Sequence, residues 1–459
     1  MPSIIHPMKH YHAIIIGGGG GLKLRPLTDF GHKIAIIEKE DLGGTCLNRG
    51  CIPSKMLIHP ADLLKELSEY KKYHITLPGE ANIDVMALTK EVTARVSENA
   101  KKIAAAYEKN ENIDFYPGHA RFSSDKVVEV NGERISADRI FIVTGTRPYV
   151  PNISGLKDTP FWTSREALRP EFIPKSLIVL GGGYIGVELG HFYDATGTEV
   201  IFLVRGQFLK NEDETVIERF TTAFSEEHHV MQGVSPTEVT YDGNEFTVKL
   251  TDGQELRSEA LLVATGIQPN TDDLGLENTS IELTNKKFIQ TDGHMRTSVE
   301  GVYALGDVTG RYFFRHSVNF EGEYLMRTLY QNPSDEQISY PAMPHAVFTN
   351  PQVAGVGETE QSLKDSGLDY AVGLNDYMDS AMGGDVLQNE HGFVKLLFDR
   401  GTRKLLGAHI MGPEASSLIH ICIAFINMGA TLEDMRRDII YIHPALPEVL
   451  RNAARKVDL

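Results

Sequence analysis

Short apolar runs that end in glycine recur along this chain, and they recur in a fixed order. His12 to Ile16 is one such run, and it leads into the unbroken glycines Gly17 to Gly21. A second run, Lys33 to Ile37, ends at Glu38. The theme returns where Ser176 to Leu180 leads into Gly181-Gly-Gly-Tyr-Ile-Gly186 and where Glu199 to Val204 ends at Arg205. Apolar stretches this short, bounded by turn residues, suit strands covered on both faces. Each stretch therefore predicts strand, glycine turn, helix and strand, the mononucleotide-binding βαβ half of a doubly wound sheet.

The segments downstream of the two halves repeat as well. Lys126 to Val130, then Asn131-Gly132, then Arg134-Ile-Ser predict a hairpin, because Asn-Gly supplies the positive φ angles of a tight turn. A strand from Arg139 then runs into Thr144-Gly145. In the second copy Phe246 to Leu250, Asp252-Gly253 and Glu255-Leu-Arg predict the hairpin, and Leu261 to Val263 runs into Ala264-Thr-Gly266. Two helices are expected between the first half and its hairpin. Val85, Leu88, Val92, Val96, Ile103 and Tyr107 recur there at helical spacing and read as a core-facing stripe. From about residue 341 the character changes, with strands at 392–398 and 405–410 and an apolar helix at 415–428. The expected fold is α/β: two Rossmann-like dinucleotide-binding domains, 1–150 (completed by 275–340) and 151–274, plus a C-terminal α+β domain, 341–459.

A length of 459 residues agrees with several cores rather than one. The formal net charge of -17 argues against nucleic acid or an anionic membrane surface as partner, since phosphate neutralisation needs clustered Lys and Arg. No apolar run is long enough to span a bilayer. The opening Met1 to His10 lacks the charged-then-apolar layout of a signal peptide, so a cytoplasmic protein is expected. Cysteines are scarce (Cys46, Cys51 and Cys422), which excludes a secreted disulfide framework.

The second glycine turn is regular. Gly181, Gly183 and Gly186 fill Gly-x-Gly-x-x-Gly: one for the tight turn, one for close approach of backbone to pyrophosphate, one for helix packing on strand. The residue closing the next strand meets the adenosine ribose. Arg205 there, with Lys210 nearby, suits a 2′-phosphate, so NADPH is expected, with NADH as the alternative and a plain strand-capping arginine as the bland reading. The first turn is irregular. Gly17 and Gly19 fit, but Leu22 holds the third position, Pro26 falls early in the expected helix, and Gly17 to Glu38 is a short interval for this fingerprint. Glu38 remains the candidate for ribose hydroxyls.

Gly43-Gly-Thr45-Cys46-Leu-Asn-Arg-Gly-Cys51-Ile-Pro-Ser-Lys55 carries the redox signal. The cysteine spacing fits one helical turn or a tight loop, and no further Cys pair or suitably spaced His completes a metal set. A redox-cycling pair is the preferred reading, with Lys55 as one local cation that favours thiolate. His443 and Glu448 lie about one turn apart, so the carboxylate can fix an imidazole tautomer. Read alone, a histidine there is more often structural.

Taken together, Gly43 to Lys55, Gly181 to Glu188, Ala264 to Asn270, Gly301 to Asp307, Val347 to Pro351 and His443 to Glu448 make the chain resemble, over nearly its whole length, the class I pyridine nucleotide–disulfide oxidoreductases. These include dihydrolipoamide dehydrogenase, mycothione reductase, glutathione reductase and mercuric reductase. The resemblance implies FAD in the first dinucleotide domain and a homodimer built through the C-terminal domain. It implies that Asp307 holds the FAD ribityl chain, that Lys55 and Glu188 pair beside the flavin, and that Tyr184 shields the flavin until nicotinamide arrives. It also implies that Cys51 is the flavin-side sulfur, Cys46 the interchange thiol, and His443–Glu448 the acid–base pair serving the cysteines of the other subunit. His316 is read as structural. Within the family, Arg205 disagrees with the usual NAD preference of dihydrolipoamide dehydrogenase, and the absence of cysteine after Cys422 disagrees with mercuric reductase. The leading expectation is an NADPH-dependent reductase of a small, mycothione-type disulfide. Dihydrolipoamide dehydrogenase is the alternative, followed by a mercuric reductase-like enzyme or a non-catalytic redox subunit.

Overall fold

A computed structural model describes residues 8–79 and 81–458. The signal-peptide reading of the chain's start falls mostly on residues 1–7, outside the described residues. The chain divides into two compact units. The first comprises residues 1–56, 87–149 and 267–339, the second 57–86, 150–266 and 340–459.

The first unit is built on one sheet. Strand Lys9–Ile16 lies at its centre, parallel to Ile34–Glu38 on one side and to Glu133–Ile142 on the other. Ile113–Pro117 extends the sheet beyond Ile34–Glu38, and Val302–Ala304 pairs in parallel with Glu133–Ile142. The central strands are buried on both faces, Ala13 to Ile15 and Ile34 to Ala35 being wholly inaccessible. This is why their sequence runs apolar without alternation. The expected hairpin forms from Val127–Val130 and Glu133–Ile142, but its second arm and the strand expected from Arg139 are one continuous strand. In the second unit the corresponding pieces, Glu255–Ser258 and Ala260–Val263, stay separate and join different sheets. Helix Val85–Glu108 carries the expected stripe, with Val85, Val92, Val96 and Tyr107 buried.

The segment after the first glycines departs from expectation. Gly20–Phe30 is a 3-10 helix, not an α-helix, and it contains Pro26. Its tighter winding rises about 2.0 Å per residue against about 1.5 Å in an α-helix. Fewer residues therefore cover the distance back to strand Ile34–Glu38, which accounts for the short interval between Gly17 and Glu38. Gly21, Leu24 and Leu27 are buried at every third position, where a threefold screw brings them round to one face, with Gly20 and Thr28 buried beside them.

The second unit holds a four-stranded parallel sheet in which Ser176–Leu180 lies between Glu199–Val204 and Ala260–Val263. A three-stranded antiparallel sheet contains the second hairpin. Its C-terminal part forms a five-stranded antiparallel sheet, ordered His345–Val347, Val353–Gly357, Leu405–Met411, Phe393–Asp399, Tyr370–Asp376. Helix Ala415–Met428 buries Leu418, Ile419 and Cys422 in the same core as this sheet's Ala354, Leu396 and Ile410.

Candidate active site

In the first unit the glycine turn and the cysteine segment are in backbone contact. Gly17 has φ +114, and a Cβ there would lie 2.3 Å from the Val143 carbonyl oxygen, so only glycine fits. A Cβ on Gly44 would lie 2.6 Å from the Cα of Gly19. The Gly43 N–H donates to the Gly18 carbonyl at 2.9 Å. The turn is thus bare backbone, the form that admits a pyrophosphate closely. The close packing sought at Leu22 is made instead by the extra glycines: a Cβ on Gly20 would strike Val318 at 2.4 Å, and one on Gly21 would strike Ile15 at 2.6 Å. The run of glycines was the signal for both.

Glu38 ends its strand with Oε2 accepting from the Gly18 N–H at 2.7 Å and Oε1 from the Glu40 N–H at 2.9 Å. Each oxygen keeps a further lone pair for a ribose hydroxyl. Asp307 accepts from the Thr146 hydroxyl at 2.9 Å, and burial raises its carboxyl above the usual range, against the opposing pull of that hydrogen bond. Such a group suits hydroxyl donors rather than a cation. Thr144 and Gly145 are tied to Asn270: the Thr144 hydroxyl donates to the Asn270 carbonyl, and the Asn270 N–H donates to the Gly145 carbonyl, both at 3.0 Å. Glu321, buried and unremarked in the sequence, accepts from the Gly306 N–H at 2.6 Å and so fixes the turn before Asp307. His316 is exposed, its ring stacked on Phe314. These residues fit an adenine dinucleotide.

Thr45 and Cys46 lie in the short helix Gly44–Arg49, and Cys51 opens helix Cys51–Ser68, in which Lys55 stands one turn further on. Cys46 is half-buried and Cys51 exposed, and both are in the thiol form. The Cys46 thiol is driven far above its ordinary pKa by its hydrogen bond with Cys51 and by burial, while the charge of Arg315 acts in the opposite direction. The two cysteines are thus side-chain neighbours within this segment. Asn48, also missed from sequence, is 1% exposed and donates to the carbonyls of Asp41, Leu42 and Gly44, pinning the loop before the dithiol.

In the second unit Gly181 has φ +118, and its Cβ would lie 2.4 Å from the Ala264 carbonyl oxygen, the counterpart of Gly17 against Val143. A Cβ on Gly186 would fall 2.4 Å from the Gly181 carbonyl oxygen. Gly183 precedes helix Tyr184–Ala195 with open space around it and no side-chain cap, so the helix's first N–H groups face outward for a phosphate. Gly266, at φ +136, is exposed and open. Arg205 and Lys210 are both exposed. The Tyr184 hydroxyl donates to Glu212, whose other oxygen lies 2.8 Å from His345 Nε2. Glu188 is buried and accepts from the Phe348 N–H at 2.9 Å.

His443 Nδ1 lies 2.9 Å from Glu448 Oε2, and Arg451 donates to Glu448 Oε1 at 2.7 Å. Burial works to raise the Glu448 carboxyl, but the hydrogen bond from His443 and its neighbours outweigh it and hold the pKa below the usual range. With Nδ1 committed to the carboxylate, Nε2 is the working nitrogen, and the His443 side chain is 69% exposed. Close by in sequence, Ile440 and Ile442 are 98% and 78% exposed.

A family model described as pyridine nucleotide-disulphide oxidoreductase matches residues 11–327. A second, the dimerisation domain of the same description, matches residues 343–454. The chain is similar to mycothione reductase of Mycobacterium tuberculosis, 35% identical over 464 residues that cover 97% of this chain and 99% of the relative. It is also similar to mercuric reductase of Shigella flexneri, 36% identical over 97% of this chain and 80% of that one. Among solved structures, the Cu(II) complex of the HOCl-induced flavoprotein disulfide reductase RclA from Escherichia coli superposes with a TM-score of 0.87 at 27% identity, covering 98% of this chain and 99% of that one.

Proposed function

The chain belongs to the pyridine nucleotide-disulphide oxidoreductases, and from that premise we propose that it is an NADPH-dependent reductase of a low-molecular-weight disulfide of the mycothione type. FAD and NAD(P)H are the cofactors, and the dimerisation domain makes the protein a homodimer. The observation that carries the reading is the Cys46–Cys51 thiol pair held against the glycine turn.

Bound FAD supplies a two-electron relay between nicotinamide and the Cys46–Cys51 disulfide. Glu38, Asp307 and the Gly17–Gly19 backbone hold the dinucleotide, with Thr45, Thr144 and Gly145 beside it. Gly181, Gly183, Gly186 and Gly266 shape the nicotinamide dinucleotide site, and Arg205 with Lys210 clamps the 2′-phosphate. A charge-assisted contact of that kind contributes about 1.5–3 kcal/mol, roughly ten- to a hundredfold in affinity.

Once the pair is reduced, His443 of the partner subunit takes the Cys46 proton as the Cys46 sulfur attacks one sulfur of the substrate disulfide. A mixed disulfide forms, and the first substrate thiol leaves with a proton from His443 of the partner subunit, whose charge Glu448 steadies. Cys51 then attacks Cys46, the Cys46–Cys51 disulfide re-forms, and the second substrate thiol departs. The sum is NADPH, one proton and one disulfide giving NADP⁺ and two thiols.

The test is turnover of purified protein with NADPH and NADH against mycothione disulfide, glutathione disulfide and lipoamide, with Cys46→Ser and Cys51→Ser alongside. NADPH-driven reduction of mycothione disulfide is expected. Cys51→Ser should abolish the long-wavelength thiolate–flavin absorption of the two-electron-reduced protein, and Cys46→Ser should keep that absorption but lose turnover. Strong preference for NADH with oxidation of dihydrolipoamide would replace this reading by dihydrolipoamide dehydrogenase.

A further inference from the structure

Three neighbouring strands of the C-terminal sheet carry His345, Gly355 and His409 in one row, His345 opposite Gly355 and Gly355 opposite His409. The middle glycine is required by its neighbours. A Cβ there would lie 2.7 Å from His345 Cε1 and Nε2 and 3.2 Å from His409 Nδ1. Both imidazoles therefore lean over the same strand, and both approach the adjacent acids Glu212 and Asp213.

Glu212 has a side chain with no solvent exposure. A carboxylate so buried costs several kcal/mol unless its oxygens are satisfied. Oε2 takes His345 Nε2 at 2.8 Å, Oε1 takes the Tyr184 hydroxyl, and burial is outweighed so that the acid is held below the usual carboxylate range. The position of the pair is fixed on both sides. Gln361 donates to the Glu212 carbonyl at 2.8 Å, and Asp213 accepts from Lys395 at 2.7 Å and from the Glu360 N–H at 2.8 Å. His409 donates Nε2–H to the Glu358 carbonyl at 2.9 Å. The first residue of the helix that opens at the nicotinamide turn is thus moored, through one buried carboxylate, to an imidazole on a different sheet.

We propose that Glu212, oriented by His345, is a latch that sets the ring position of Tyr184 and thereby the access of nicotinamide. This rests on the reading of Tyr184 as the residue that shields the flavin. Glu212 and His345 are positioning residues: neither touches nicotinamide. Any movement of the Tyr184 ring between two positions must break or make the O–H···O⁻ bond to Glu212. A charge-assisted bond biases such a pair of positions by roughly ten- to a hundredfold.

The holoenzyme tests this by two readouts other than turnover: the Kd of NADP⁺ from its perturbation of the flavin spectrum, and the rate of flavin reduction by NADPH in stopped flow. Glu212→Gln should change both about tenfold with the flavin content kept. In a Tyr184→Phe background, which has no hydroxyl to latch, Glu212→Gln should change neither. His345→Gln, which retains a donor, should lie nearer the unaltered protein than His345→Ala. Equal effects of Glu212→Gln with and without the Tyr184 hydroxyl would overturn the latch, as would no effect in either background. If nicotinamide leaves the flavin of the unaltered protein unperturbed and unreduced, the functional reading fails instead.

Discussion

Gly44→Ala is expected to loosen FAD binding far more than it destabilises the fold. Gly44 has φ +65, a conformation that costs a residue with a Cβ about 1–2 kcal/mol. The added methyl would also stand 2.6 Å from the Cα of Gly19 and 3.3 Å from its N. Backbone is on the receiving side, so the two segments must part, an overpacking cost of about 1–3 kcal/mol. Without dinucleotide, the loop at Gly43 and Gly44 can retreat and shed much of this strain. With it, both backbones must close on the same pyrophosphate, and the strain falls on the bound state. The sum, about 2–5 kcal/mol, corresponds to roughly 30-fold to several thousand-fold weaker FAD affinity. Gly31→Ala is the control. Gly31 is also left-handed, at φ +75, but nothing lies within 4 Å of its Cβ position. It should lower the melting temperature slightly and leave FAD in place. The assay is flavin fluorescence on dilution, which rises as FAD is released. If Gly44→Ala retains FAD as tightly as the unaltered chain, or Gly31→Ala releases it equally, the shared-cradle reasoning is refuted.

The same geometry sets three other outcomes. Arg205→Glu should shift the NADPH-to-NADH preference, measured as a ratio of kcat/KM values, roughly ten- to a hundredfold toward NADH by removing a charge-assisted phosphate contact. His443→Ala should slow disulfide turnover about 10²–10⁴-fold, the range for losing a general acid, while leaving flavin reduction by NADPH unchanged in stopped flow. Glu212, Asp213 and Glu448 all have pKa values depressed in the fold. Their contribution to stability is complete above the ordinary carboxylate range and is lost as pH falls through their lowered values. Urea midpoints measured from pH 7 downward should therefore drop in acid, and Asp213→Asn should flatten that drop.

The dinucleotide turns were legible because their geometry leaves no choice of side chain: Gly17 and Gly181 face carbonyl oxygens at distances that admit none, and that constraint is written as a residue type. The cysteine pair and the His443–Glu448 pair were legible because their partners are near in sequence. Asn48, Glu212, Glu321 and His345 were not, since their meaning comes from what folding brings to them. Glu212 reads as one acid among 62 Asp and Glu until Tyr184 and His345 arrive from 28 and 133 residues away. The 3-10 helix was half legible. Pro26 and the short interval to Glu38 signalled an irregular segment, but the competing choice between windings depends on the contacts of Gly20 and Gly21 with Val318 and Ile15, which local propensity does not contain.

That winding limits how the chain can vary here. A threefold spiral returns a side chain to the same face only at every third position, so one residue added or removed between Gly21 and Leu27 turns everything beyond it by about a third of a revolution. Lys23 or Arg25 would then be carried to the buried place that Leu24 now holds. A length change of three residues restores the register of the buried face, and a change of one or two does not.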